Sequence, residues 1–170
     1  MDRIVTERLV LRRAREEDLE AMHEVLSHPL ATRYWSTPPH DSIEQTRERL
    51  AAMIEDAPGE RDDYVIERGG RVIGKAGCFR LPEIGYILHP DHWGQGIATE
   101  ALRAVIRSIF GRHAIEALRA DVDPRNLRSI QMLERLGFTV SGRASRTWHV
   151  AGEWCDSLYL TLPRPDHMAE

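Results

Sequence analysis

The chain has 170 residues, 42% hydrophobic and 29% charged, the composition of one ordinary globular domain and not of a disordered or fibrous chain. Its 27 acidic against 23 basic side chains give a net charge of −4, which argues against a nucleic-acid or anionic-membrane partner. The charged opening Met1-Asp2-Arg3-Ile4-Val5-Thr6-Glu7-Arg8 is no signal peptide, and no apolar run nears the ~20 residues of a membrane span. Cys78 and Cys155 are isolated, with no CxxC spacing. The expectation is a soluble, cytoplasmic single domain with its core over residues 4–162 and a flexible tail over 163–170.

In chain order, Arg8–Arg13 sets Leu9-Val10-Leu11 between arginines, a short strand pattern. Arg15–Leu26 carries Leu19, Met22 and Leu26 at helical spacing, with acids in the first turn. The segment Arg33–His40 is irregular, aromatic and proline-bearing. Ser42 predicts an N-cap for a helix over Ile43–Asp56, with Gln45 completing a capping box and Pro58-Gly59 closing it. Asp63–Glu67 and Arg71–Phe79 read as strands joined through Gly69-Gly70, a hairpin signal. Glu83–His89 is a third strand, stopped at Pro90. Ala98–Phe110 is a helix with the stripe Ala101, Leu102, Val105 and Ile109. A strand over Ile115–Val122, a helix over Asn126–Leu136 stopped by Gly137, and strands over Phe138–Ala144 and Trp154–Leu162 complete the chain. This order predicts an α/β (α+β) fold with a mixed, mostly antiparallel sheet of about six to seven strands and helices on both faces.

The stretch Glu83-Ile84-Gly85-Tyr86-Ile87-Leu88-His89-Pro90-Asp91-His92-Trp93-Gly94-Gln95-Gly96-Ile97-Ala98-Thr99-Glu100-Ala101 describes a strand, a glycine loop and a helix start. Free N–H groups at a helix N-terminus bind phosphate, and Gly94 and Gly96 carry no Cβ to hold a pyrophosphate off the backbone. No Lys follows Gly96, which excludes a Walker loop, and Thr99 replaces the third glycine of a dinucleotide fingerprint. A second cluster, Asp121-Val122-Asp123-Pro124-Arg125-Asn126-Leu127-Arg128-Ser129-Ile130, leads into Leu133-Glu134-Arg135-Leu136-Gly137-Phe138. His23-Glu24 begins like HExxH, but Ser27 stands where the second His is required, so no metal is expected.

With Thr6-Glu7-Arg8-Leu9-Val10-Leu11-Arg12 and Gly152-Glu153-Trp154-Cys155-Asp156, these motifs resemble the GNAT N-acetyltransferases, and within them the ribosomal-protein-alanine N-acetyltransferase branch. The resemblance spans roughly residues 4–162. It implies acetyl-coenzyme A as co-substrate, bound by Ile87, Leu88, Trp93, Gly94, Gln95, Gly96, Ile97, Ala98, Thr99, Asn126 and Ser129. Trp93 stands where the family's loop usually opens with Gln or Arg. An amine near pKa 8–10 is protonated at pH 7, so acetylation needs a base, and the leaving thiolate gains from an acid. Glu83, which starts the strand feeding the loop, is the candidate base, directly or through water. The tyrosine that many relatives carry on the last helix is Leu133 here, leaving Ser129, or water, to assist the leaving sulfur. Direct attack of the amine on the thioester is favoured over a covalent route through Cys78, which has no partnered base. Tyr34, Trp35 and Trp148 read first as packing residues and are candidates for lining the acceptor pocket. The expected reaction is acetyl transfer to a primary amine, either a protein N-terminus or a small molecule, by a monomer or homodimer. The alternative is a non-catalytic acyl-coenzyme A-binding module.

Overall fold

The computed structural model describes residues 3–55 and 59–166. Its strands are β1 (Arg3–Val5), β2 (Val10–Arg12), β3 (Asp62–Arg68), β4 (Arg71–Arg80), β5 (Glu83–Leu88), β6 (Ala117–Val122), β7 (Thr139–Val150) and β8 (Glu153–Pro163). The helices are α1 (Leu19–Leu26), α2 (Ile43–Ile54), α3 (Ile97–Arg112) and α4 (Leu127–Arg135). All eight strands form one sheet in the order β1-β2-β3-β4-β5-β6-β8-β7. Every neighbouring pair is antiparallel except β5 with β6. The extra strand relative to expectation is β1, three residues that pair with β2 across the turn at Thr6–Leu9.

Local chemistry explains most boundaries. The helix expected from Arg15 opens as a 3-10 turn over Glu16–Asp18 before α1 begins. Asp18 accepts the Arg15 N–H at 2.8 Å and the two terminal Arg12 guanidinium nitrogens, Nη1 and Nη2, at 2.8 Å, which fixes that tighter entry. Ser42 caps α2 by accepting the Gln45 N–H at 3.4 Å, while Gln45 Oε1 takes the N–H of Asp41 rather than that of Ser42. Asp56 and Pro58, on which the expected end of this helix rests, lie outside the described residues. At the end of α4, Gly137 adopts φ +97°, and the Gly137 and Phe138 amides donate to the Glu134 and Leu133 carbonyls. That is a Schellman stop. Arg164 remains attached beyond β8, its N–H on the Glu116 carbonyl at 2.7 Å, whereas 167–170 lie outside the described residues.

Two cores cover the two sheet faces. On one, Ile97, Ala101, Leu102, Val105 and Ile109 of α3 and Met132 and Leu133 of α4 pack with Tyr64, Ile66 and Ile73. On the other, Met22, Val25 and Leu26 of α1 and Leu50 and Met53 of α2 cover Val65, Val72 and Ile87. Neighbouring strand residues thus enter opposite cores, the period of two that a sheet imposes, and each such buried aliphatic contributes about 2 kcal/mol of transfer free energy. No helix among the described residues is long and apolar enough to cross a membrane.

Candidate active site

The parallel pair is where the sheet opens. Its register joins Glu83 to Arg119, with the Arg119 N–H on the Pro82 carbonyl at 3.0 Å. Beyond that point Ile84–Leu88 and Ala120–Asp123 flank a cleft of about 760 Å³. Ser129, Met132 and Leu133 of α4 line it, as do the glycine loop and the irregular segment around Leu30–Trp35.

The glycine loop is built to present backbone amides. A 3-10 turn over Pro90–His92 leads to Gly94 and Gly96, both left-handed at φ +69° and +74°, and Gly96 caps α3. The N–H groups of Ile97, Ala98 and Thr99 have no acceptor within their own helix, so the positive end of α3 faces the cleft. The loop is pinned from outside. Arg8 donates to the Gln95 carbonyl at 2.8 Å, Arg68 donates to Gln95 Oε1 at 2.8 Å, and Gln95 Nε2 donates to the Asp91 carbonyl at 3.0 Å. Arg8 is itself held by Glu100, through Nε at 2.7 Å and its backbone N–H at 2.9 Å, and Thr6 Oγ1 joins at 2.6 Å. Burial pushes the Glu100 carboxyl up, but the Thr6 and Arg8 hydrogen bonds prevail and hold it below the usual range. Trp93 Nε1 donates to the Leu88 carbonyl at 2.9 Å, with the Arg128 guanidinium 5.3 Å from its ring centre.

On the opposite wall Asn126 caps α4, its Oδ1 accepting the Ser129 N–H at 3.3 Å. Ser129 is buried, and it lines the cleft with Tyr86, whose hydroxyl it influences. Burial raises the Tyr86 pKa, against opposing contributions from Ser129 and Arg128.

At the mouth beside Leu30–Trp35, Tyr34 and Trp35 line the cleft. Arg125 sits between Asp123 and Glu153, each at 2.7 Å, with its guanidinium 5.8 Å from the Tyr34 ring centre. Burial pushes the Asp123 carboxyl up, but the Arg125 contacts hold it below the ordinary value. Trp148 does not line the cleft. Its Nε1 donates at 2.9 Å to Oδ2 of Asp121, a carboxylate that does. Glu83 shares the α1–α2 face with Gly85, Arg119 and Asp121 by strand alternation, but stands outside the cleft lining. Cys78 is buried in the core away from the cleft, and burial pushes its thiol well up. Asp121 and Tyr86 are site residues that the sequence reading quoted only as parts of motifs. Residue identity alone does not say which strand positions face the opened pair.

The family model described as an acetyltransferase (GNAT) domain matches residues 8–139. The chain is 32% identical over 152 residues to an uncharacterized N-acetyltransferase p20 of Bacillus licheniformis, covering 84% of this chain and 85% of that protein. It is 25% identical over 169 residues to a spermidine N(1)-acetyltransferase of Escherichia coli (strain K12), covering 94% and 88%. Among solved structures, the RimL ribosomal L7/L12 alpha-N-protein acetyltransferase in complex with coenzyme A superposes with a TM-score of 0.83 at 22% identity, covering 98% of each chain. The chain therefore belongs to the GNAT acetyltransferases and transfers an acetyl group from acetyl-coenzyme A to an amine.

Proposed function

We propose that the cleft binds acetyl-coenzyme A across the β5–β6 opening and that a primary amine enters from the Tyr34–Asp121 side to attack the thioester directly. The observation that carries this reading is the opened parallel pair beside a row of free helix-terminal amides. The amides of Gly94–Thr99 suit a pyrophosphate. The edge of β5 that faces the opening, where the Leu88 carbonyl is already taken by Trp93 but the strand has no β6 partner beyond Glu83, suits the amide groups of the pantetheine arm, much as a sheet edge takes an added strand. Gln95 acts here through its N–H, since its carbonyl and side chain are already engaged by Arg8, Arg68 and Asp91. Asn126 and Ser129 face the arm from α4.

In the reaction the amine loses a proton, its nitrogen bonds the acetyl carbon, and the carbon–sulfur bond breaks. Glu83 takes the proton through an intervening water, because its strand position lies just beyond the cleft lining. Asp121, oriented by Trp148, holds the incoming ammonium group. Tyr34 and Trp35 add aromatic surface for a cationic acceptor. The acceptor is a protein N-terminal amine or a small amine, in keeping with the spermidine and ribosomal-protein acetyltransferases to which the chain is similar. A cytoplasmic location fits that donor.

Thiol release from acetyl-coenzyme A, measured over a panel of peptides and small amines, tests the reading. Turnover with at least one amine is expected, and Glu83→Gln should lower it by about 10²-fold or more while leaving coenzyme A affinity intact. Normal turnover of Glu83→Gln across pH 6–9 would refute its role as base.

A further inference from the structure

Expelling coenzyme A creates a thiolate, and a thiol of pKa about 8.5 departs faster when a placed acid meets it. Among the described residues, four hydroxyl side chains line the cleft: Tyr34, Tyr86, Thr99 and Ser129. Thr99 belongs to the amide row at the start of α3, and Tyr34 lies at the mouth beneath Arg125. Tyr86 differs from both. It sits midway along β5 between Ile84 and Leu88, packs onto the α3–α4 core, and meets Ser129 in the first turn of α4. A phenol and a serine hydroxyl thus line one cleft, Tyr86 from β5 and Ser129 from the first turn of α4. The helix position four residues beyond Ser129 is occupied by Leu133, a buried core side chain that offers no proton.

We propose that Tyr86 protonates the departing coenzyme A thiolate and that Ser129 is its positioning residue. The proposal rests on the donor reading above and adds to it the group that completes the leaving step. As the carbon–sulfur bond breaks, its electron pair goes to sulfur. The Tyr86 hydroxyl proton moves to that sulfur, giving the free thiol. The Tyr86 phenolate, held by the Ser129 hydroxyl and faced by Arg128, then takes a proton from water, while the proton lost by the amine leaves through the base. A phenol is neutral through the physiological range, so the proton is there to give.

The test uses the full chain with coenzyme A alone, followed by acetyl-coenzyme A and an active amine. In the wild-type complex the bound thiol, followed by its ultraviolet thiolate absorbance, should ionise at lower pH than free coenzyme A. Tyr86→Phe, which keeps the ring, should raise that ionisation by about one pH unit and lower kcat at least tenfold, with the Kd of acetyl-coenzyme A within twofold. Ser129→Ala should shift both in the same direction by a smaller amount. Unchanged thiol ionisation and unchanged kcat in Tyr86→Phe, in a variant that still binds, would overturn the assignment of Tyr86 alone. Failure of the wild-type protein to bind coenzyme A would overturn the donor reading and this proposal together.

Discussion

A Cβ built on Gly94 meets no protein atom within 4 Å, and Gly94 holds φ +69°. The protein itself therefore asks of this position only a left-handed backbone, which costs an alanine about 1 kcal/mol. Anything further that a methyl group disturbs there belongs to the ligand. Gly94→Ala should accordingly lower Tm by about 2–4 °C and weaken coenzyme A binding tenfold or more by calorimetry. An unchanged affinity would show that the loop amides do not cradle the phosphates. Tyr86 makes the complementary point about single residues. Its identity is plain in the sequence, but its use depends on facing Ser129 from the opposite wall, which only the folded arrangement of β5 and α4 supplies.

At the scale of elements, the start of α3 is fixed by residues from the far N-terminal end of the chain. Arg8 reaches Glu100, 92 positions away, and the Gln95 carbonyl in the same gesture. A charge-assisted hydrogen bond of this kind contributes about 1.5 kcal/mol, roughly a tenfold change in an equilibrium constant. Arg8→Ala should therefore raise the KM for acetyl-coenzyme A by about tenfold and leave kcat within twofold. A fall in kcat at constant KM would place Arg8 in the chemistry instead of the scaffold. This clamp was illegible in the sequence, where Thr6 and Arg8 were only part of a resemblance. By contrast α3 was legible almost to its ends, because Ala101, Leu102, Val105 and Ile109 make an unbroken apolar stripe. The strand β1 was not, since three residues in a charged opening give no period to read. The outer half of β7 was missed for a related reason. Residues 145–149 are all exposed, so no alternation between core and solvent marks them. The glycine loop could be read because φ and the missing Cβ are encoded in the residue type itself.

For the whole molecule, a buried charge network at the start of β3 makes stability depend on acid pH. Asp62 is fully buried and accepts hydrogen bonds from Tyr64 at 2.7 Å, Arg13 at 3.1 Å, His113 at 3.1 Å, and Arg112. Burial alone would raise its pKa, but the Tyr64, Arg112 and His113 contacts prevail and hold it below the usual carboxylate value. Because the folded pKa is the lower one, the stabilisation is complete above an unfolded value of about 4. It is lost as pH falls through the folded value. Asp62→Asn should lose about 2 kcal/mol or more at pH 7, and the gap to wild type should close below pH 4. Denaturant titrations at several pH values would read this, and a gap that stays constant with pH would contradict it.

The register match of Glu83 with Arg119 joins two stretches that are each continuous in the chain, β1 through β5 before α3 and β6 through β8 after it. Elsewhere the sheet is laced by antiparallel ladders of three or more matched positions; at this seam it is held by one matched position, the packing of α3 and α4, and the covalent tether of α3. A donor molecule lying in the seam touches both halves and supplies the cross-links that the strands themselves forgo. Saturating such a ligand at a hundred times its Kd adds about 2.7 kcal/mol to the folded state, and here that increment falls on the joint between the halves. A donor bound in the seam as proposed would thus also be a structural stitch, and the enzyme would be most coherent as one body when loaded to react.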